Sequence, residues 1–260
     1  MFSRFEPLLL WPLLLTQGLY TASRAIRMLE PDGPREGTMG RGEPFRLLVF
    51  GDSSAAGVGV ERQEEALGVQ LAERFAAHFE VSWQVRATSG ATTASTLASW
   101  QQDPPARCDL AVLALGVNDT KNGVSLKAWR RNYGLLVQRL SDAGARRVIV
   151  SGLPPVGEFP LLPDPLRRVL GARAARFDAA LQEVARTSGA MHLPFDLPFD
   201  PALMARDGFH PGPVVYREWA ARIYGRVMQD FELPDGQSDR AGGPQAPLTG
   251  VQNKTGVSRL

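Results

Sequence analysis

The stretch RLLVFGDSSAAG, residues 46–57, decides the fold, because an apolar run leads directly into a sharp turn. The run at 46–51 is typical of a strand that is buried on both faces. The small residues after it let the backbone bend tightly and let a ligand come close. Similar short apolar runs recur along the chain and predict four further strands, at 81–87, 109–116, 147–152 and 191–193.

Amphipathic segments separate these strands and predict helices at 63–79, 92–100, 125–140, 171–187 and 214–229. Strands that alternate with helices form a parallel sheet covered on both faces. The sequence therefore predicts an α/β fold, a three-layer α/β/α sandwich around a central parallel sheet of about five strands. Ligands bind at the carboxyl ends of the strands in such a sheet, so functional residues are expected directly after strands.

The composition of the 260 residues is that of an ordinary globular protein, with 44% hydrophobic and 22% charged residues. The net charge of +2 is too balanced to indicate a nucleic-acid partner. Cys108 is the only cysteine, which excludes an intrachain disulfide and a cysteine-rich zinc site. His78, His192 and His210 lack the local spacing of a metal site, so no metal is expected.

The two ends of the chain differ from the middle. The segment LLLWPLLL at 8–15 is too short to span a bilayer. It fits a signal peptide with poor flanks, an interfacial anchor helped by Arg24 and Arg27, or an arm packed on the domain. We predict an apolar N-terminal arm at 1–29, a Gly/Pro-rich linker at 30–44, the α/β domain at 45–232 and a disordered tail at 233–260.

The N-terminal arm also bears on partners and location. A peripheral membrane contact through residues 5–20 is one expectation from its apolar character. A cytoplasmic or membrane-associated protein is favoured over a secreted or periplasmic one, because the flanks of the apolar segment suit a signal peptide poorly. The oligomeric state stays open.

Polar residues or glycine follow each of the first three predicted strands, at Ser53, Gly90 and Asn118. Each of these has a structural interpretation as a turn residue or a helix cap. The loop that contains Ser53 could also cradle a phosphate, although it lacks the G-K-[ST] of a P-loop. An asparagine amide at this edge of the sheet can donate to an oxyanion.

Of the three histidines, His210 is the one placed for chemistry, in a Gly/Pro-rich loop after the last strand. Asp207 lies three residues earlier and can reach the same imidazole, where a carboxylate would fix the tautomer. His78 is expected on the polar side of a helix. His192 is expected to fill or cap the sheet, and neither of these two has an acidic residue at useful spacing.

Four blocks together resemble the SGNH (GDSL-type) hydrolase family, in the order that the family has them. They are Gly51-Asp52-Ser53, Gly90, Gly116-Val117-Asn118-Asp119 and Asp207-Gly208-Phe209-His210. The resemblance spans nearly the whole domain and implies a flavodoxin-like fold that hydrolyses esters without a cofactor.

Carried over block by block, the resemblance assigns roles to residues of this chain. Ser53 would be the nucleophile, His210 the general base and Asp207 the residue that orients it. The backbone N–H groups of Ser53 and Gly90, with the Asn118 side chain, would form the oxyanion hole. Asp52, Gly116 and Asp119 would support the loops.

The expected substrate is a small acyl ester, with a sugar O-acetyl ester or a thioester as the alternative. The segment 152–155 looks like a pocket wall, and Val156, Phe159, Leu161 and Phe209 could line an acyl pocket or only pack the loops. An alternative of another class is a non-catalytic flavodoxin-like module that holds a nucleotide or flavin on the 51–59 loop.

Overall fold

The structure, a computed structural model, describes residues 6–197 and 200–232 of the chain. The described part contains six strands, which are β1 (Glu36–Gly40), β2 (Glu43–Gly51), β3 (Phe79–Ala87), β4 (Leu110–Ala114), β5 (Arg147–Ser151) and β6 (Met191–Leu193). Its α-helices are α1 (Glu6–Arg24), α2 (Ser53–Ala56), α3 (Leu67–Phe75), α4 (Thr93–Gln102), α5 (Val117–Lys121), α6 (Leu126–Asp142), α7 (Leu166–Ser188) and α8 (Pro213–Glu232). The tail predicted at 233–260 lies outside the described residues.

The six strands form one sheet in the order β1-β3-β2-β4-β5-β6. All neighbours pair in parallel except β1, which runs antiparallel to β3. From β2 the chain moves to β3 on one side and then crosses to β4 on the other side. The order therefore reverses between β2 and β4, and this reversal opens a crevice at their carboxyl ends.

Alternation along β2 explains why helices cover both faces of the sheet. Leu47 and Val49 belong to the apolar cluster formed with α3 and α8. Leu48 and Phe50 point to the opposite face and belong to the cluster formed with α6 and α7. A strand without polar positions in its middle is stable only in such a doubly covered sheet.

The predicted α/β/α sandwich is confirmed, with six strands where the sequence indicated about five. The additional strand is β1, which lies inside the segment predicted as a linker at 30–44. Its five residues, EGTMG, carry no apolar alternation and are mostly exposed. They pair through the backbone along the exposed edge of β3, so the side-chain pattern gave no strand signal.

Residues Glu6–Arg24 of the N-terminal arm form α1, which lies against α7. Leu14 packs on the apolar cluster of that layer. Gln17 donates from Nε2 to the Asp164 carbonyl at 2.6 Å and accepts at Oε1 from the Leu166 N–H at 3.1 Å. Gln17 thereby satisfies an amide at the N-terminus of α7. Among the described residues, no helix has both the length and the apolar character that crossing a membrane requires.

Candidate active site

The crevice between β2 and β4 brings together residues that are far apart in the sequence. Ser53 follows β2 and Asn118 follows β4, whereas His210 comes from the loop before α8. The sheet topology is thus the reason why these side chains meet at one edge.

The turn after β2 is tight. A Cβ on Gly51 would lie 2.4 Å from the Ala114 carbonyl oxygen, so a larger residue would displace β2 from β4. Asp52 caps α2, because its Oδ1 accepts from the Ser54 N–H at 3.0 Å and from the Ser54 hydroxyl at 2.8 Å. Ser53 is then the first residue of α2, with its hydroxyl directed into the crevice.

The Asp52 cap also tests the interpretation that the loop after β2 binds a phosphate. A phosphate cradle needs free amides at the helix start, and here a carboxylate already accepts from one of them. The turn is therefore unsuited to hold a nucleotide or flavin phosphate.

Ser53, His210 and Asp207 form a continuous row of close polar contacts. His210 Nε2 lies 2.8 Å from Ser53 Oγ, and His210 Nδ1 lies 2.6 Å from Asp207 Oδ2. The side chain of Asp207 is 3% exposed and that of His210 is 17% exposed. A base that contacts a hydroxyl on one side and a buried carboxylate on the other is the arrangement that activates a serine.

The Asp207 carboxylate is held ionised. Burial raises its pKa, but hydrogen bonds from the His210 ring and from the His210 and Phe209 amides outweigh burial, so the pKa lies below its usual value. Both amides donate to Oδ1 at 3.0 Å, which leaves Oδ2 for the imidazole. The backbone of residues 207–210 therefore holds the Asp207 carboxylate in the orientation in which it contacts the imidazole.

Asn118 is buried beside this row. Its Nδ2 donates to Asp52 Oδ2 at 3.3 Å and to the Ala91 carbonyl at 3.0 Å. Asp52 therefore contacts both the loop of Ser53 and the amide of Asn118. Burial raises the pKa of Asp52, and the hydrogen bonds from Ser54 oppose that rise.

Asp119 and Gly116 hold the loops around Asn118. The buried carboxylate of Asp119 accepts from the Thr93 hydroxyl at 2.7 Å and from the Thr93 N–H at 3.1 Å, which ties α5 to the start of α4. Gly116 is the residue before α5 and packs against Leu153. The supporting role that the family resemblance implies for both residues stays a prediction.

Gly90 lies next to the crevice and not inside the pocket that contains Ser53. It belongs to the segment 88–92, whose Ala91 carbonyl accepts from Asn118. It lines an adjoining polar cleft together with Arg35, Ser89 and Trp100. The structure thus places Gly90 one residue away from an Asn118 contact, but on the neighbouring surface.

A largely apolar pocket opens beside Ser53 and His210. Its apolar walls come from the segments after β4, β5 and β6, from the loop before α8 and from α8 itself, and include Leu115, Leu153, Phe159, Phe195, Leu197, Met204, Phe209, Val215 and Trp219. Of the predicted lining residues, Phe159 and Phe209 are present. Val156 and Leu161 are not among its walls, and Val156 is buried in the core instead.

A second Asp–His contact lies next to this pocket. His192 Nε2 is 3.0 Å from Asp178 Oδ1, and the same oxygen accepts from the Leu153 N–H at 3.0 Å. The sequence shows no acidic residue at useful spacing from His192, and the partner comes from α7 instead. Strand and helix are brought together by the fold, so no local spacing could reveal this pair.

His78 also differs from its predicted position. Helix α3 ends at Phe75, so His78 lies in the turn after it. Its ring stacks on Tyr224, with ring centroids 6.3 Å apart. His78 therefore has a packing contact on α8 and no place at the crevice.

A model of the GDSL-like lipase/acylhydrolase family matches residues 49–218. A GDSL-like esterase of Mycobacterium tuberculosis is 31% identical over 190 residues, which are 66% of this chain and 59% of that protein. The chain thus spans about 59% of the length of this curated relative.

Solved structures show the same fold. An acetylxylan esterase from Geobacillus stearothermophilus has a TM-score of 0.55 at 19% identity, covering 73% of this chain and 95% of its own. The esterase EstA from Pseudoalteromonas sp. has a TM-score of 0.55 at 20% identity, covering 72% of this chain and 99% of its own. At these identities the two similarities concern the fold alone.

Proposed function

This chain belongs to the GDSL-like lipase/acylhydrolase family, and we propose that it is a serine esterase that cleaves a small acyl ester through an acyl-enzyme. The observation that carries the proposal is the row of contacts from Asp207 through His210 to Ser53. In this proposal Ser53 is the nucleophile, His210 the general base and Asp207 the residue that orients it.

The first step forms the acyl-enzyme. Ser53 Oγ attacks the ester carbonyl while His210 Nε2 takes the hydroxyl proton, and Asp207 stabilises the resulting imidazolium. The tetrahedral intermediate then collapses as His210 returns that proton to the departing alcohol. In the second step, His210 takes a proton from the water that attacks the acyl carbonyl. The second tetrahedral intermediate collapses as the bond to Ser53 Oγ breaks, His210 returns the proton to Ser53 Oγ, and the acid leaves.

The negative charge of the tetrahedral intermediate needs donors. We assign the backbone N–H groups of Ser53 and Gly90 and the Asn118 Nδ2 to this role. Ser53 begins α2, where helical amides lack an intrahelical acceptor. Of the two contacts that Asn118 makes, the one to Asp52 is the longer, at 3.3 Å. We propose that this contact gives way to the oxyanion, while the bond to Ala91 keeps the amide in place.

The apolar pocket beside Ser53 supports an acyl chain longer than acetyl. Purified protein is expected to hydrolyse p-nitrophenyl esters, with kcat/KM rising at least about tenfold from acetate to hexanoate. The acyl chain of hexanoate has four methylenes more than that of acetate. Each buried methylene contributes about 0.8 kcal/mol, so burial of all four would exceed what a tenfold rise in kcat/KM requires. Steady-state kinetics on the C2 to C8 series measures it, and an absence of ester turnover would contradict the proposed function itself.

Two matched variants test whether the α8 side of the pocket contacts the acyl chain of the substrate. Val215→Phe places bulk inside the pocket and should lower kcat/KM for octanoate about tenfold or more, with acetate within about threefold. Val169→Phe is the control, because Val169 is exposed on α7. A profile that falls steeply from acetate to hexanoate would favour the sugar O-acetyl ester as substrate.

The exposed side of α1 supports a peripheral contact with an anionic lipid surface, which we propose as a partner. Trp11, Leu15 and Leu19 follow one another at four-residue spacing and form the open face of α1, with Trp11 62% and Leu19 65% exposed. The exposed Arg24 and Arg27 follow at the end of this face. An apolar stripe beside basic residues is typical of a helix that lies in the headgroup region.

Sedimentation with vesicles tests this contact. The protein should sediment with vesicles of phosphatidylcholine and phosphatidylglycerol in a 3:1 ratio, and less with phosphatidylcholine alone, because the arginines favour anionic headgroups. The combined substitution of Trp11, Leu15 and Leu19 by Ser should reduce binding at least about tenfold, whereas Leu135→Ser, on exposed α6 surface, should not. A dimer dissolved by the same triple substitution would instead identify a second copy as the occupant.

A further inference from the structure

We propose that Glu30 is a positioning residue for the oxyanion loop, residues 88–92, and that it acts through the Gly90 backbone N–H. The inference rests on the proposed function, because it concerns one of the donors assigned there. Glu30 lies outside residues 49–218, which match the family model. The N-terminal segment would thus contribute to catalysis without touching the substrate.

The contacts of Glu30 reach the loop directly. Glu30 Oε1 accepts from the Ser89 N–H at 3.0 Å and from the Ser89 hydroxyl at 2.7 Å. The other oxygen, Oε2, pairs with Arg35. Arg35 in turn donates from Nη1 to the Ala87 carbonyl at 2.9 Å. One carboxylate and its cation therefore hold the chain on both sides of Thr88.

Backbone hydrogen bonds also hold the oxyanion loop, because the Thr88 N–H donates to the Gly51 carbonyl at 3.2 Å and the Ala91 N–H donates to the Thr88 carbonyl at 3.0 Å. Packing contributes little on the solvent side. Thr88, Ser89 and Gly90 are exposed, and no heavy atom lies within 4 Å of the Cβ position of Gly90. Gly90 has a φ of +83°, which is the left-handed region that favours glycine. Hydrogen bonds to the residues on either side of Gly90 therefore fix its conformation. Ala91 is held by the Thr88 carbonyl and Asn118, and Ser89 is held by Glu30.

The segment that carries Glu30 is itself anchored. The Pro31 ring lies against Gly57, at the end of α2. The Asp32 carbonyl accepts from the Gln63 N–H at 2.9 Å, and the Gln63 side chain is buried. Strand β1 follows and pairs with β3. These contacts hold the segment of Glu30 in place between the turn of Ser53 and the oxyanion loop.

Glu30 is charged at neutral pH in this setting. Burial raises its pKa, but the hydrogen bonds from Ser89 and the charge of Arg35 outweigh burial and bring the pKa below its usual value. Hydrogen bonds to a charged acceptor are stronger than those to a neutral one. Glu30→Gln keeps the size of the side chain and removes the charge, so it isolates the contribution of that charge to holding Ser89.

Kinetics on matched variants test the role of Glu30. Removing one oxyanion donor costs about 10²–10³ in kcat, so loosening the Gly90 loop through Glu30→Gln should lower kcat about tenfold or more. KM should stay within about twofold, because the loop acts on the transition state. Glu36→Gln is the control, since Glu36 lies on exposed β1 and bonds to Gln84 instead. Ser89→Ala removes the partner hydroxyl, and its effect should be less than additive with Glu30→Gln.

Two further measurements separate positioning from folding. Amide hydrogen exchange of the peptide covering 87–92 should accelerate in Glu30→Gln and not in Glu36→Gln, whether or not ester turnover is found. A kcat within twofold of wild type, with the thermal midpoint lowered, would overturn the positioning role. Unchanged exchange of the loop would overturn it as well. Inactivity of the wild-type protein would contradict the proposed esterase, and the exchange experiment would still decide whether Glu30 holds the loop.

Discussion

Ser53→Ala is expected to lower kcat for p-nitrophenyl ester hydrolysis by about 10⁴–10⁶, the largest effect of any single substitution here. The hydroxyl is the only group that can form the acyl bond in the proposed mechanism, and His210 Nε2 would lose the partner that lies 2.8 Å away. A fluorophosphonate forms its bond with the same oxygen, so labelling followed by peptide mass spectrometry should place the adduct on Ser53 and find none in the variant.

Ser54→Ala provides the matched control for this substitution. Ser54 lies next in the chain and donates its hydroxyl to Asp52, not to His210. The variant should therefore keep fluorophosphonate labelling at Ser53, although it loses one bond to Asp52. Retained labelling and turnover in Ser53→Ala would show that Ser53 is the wrong nucleophile.

The residues around this serine could be predicted because each lies in a local pattern that the fold then brings together. Ser53 and Asn118 each follow a strand closely, and parallel strands end at a common edge. Asp207 and His210 are three residues apart, so their contact needs only a turn. The local pattern left Ser53 open between a turn or capping residue and a nucleophile, and the resemblance to the SGNH family implied that it meets His210, 157 positions away in the sequence.

The contributions that sequence reasoning missed all depend on tertiary contacts without a local signal. Glu30 stands in a Gly/Pro-rich segment that resembled a linker, and its partner Ser89 is 59 residues away. Strand β1 pairs through its backbone, which side-chain periodicity does not report. Asp178 reaches His192 only because α7 packs behind β6. Spacing rules detect partners within a turn or two, and these partners lie beyond that range.

Asp207→Asn should lower kcat about 10⁴-fold with little change in KM. The Asn side-chain oxygen can still accept from the Phe209 and His210 amides, so the loop keeps its shape. The side-chain NH₂ would then face His210 Nδ1, and it can only donate. The imidazole would have to accept there and carry its proton on Nε2, where it cannot take the proton of Ser53.

The control for this second substitution is Asp196→Asn, an exposed carboxylate that pairs with Arg222 on the surface. It should leave kcat within about twofold, because a surface ion pair contributes little and lies outside the row of contacts.

The sign of the pH effect follows from the lowered pKa of Asp207. The carboxylate orients His210 above its folded pKa, and this contribution is lost as the pH falls through that value. A kcat near wild type in Asp207→Asn would show that the tautomer of His210 is fixed by another group, and Asp207 would then be only a structural residue of the loop.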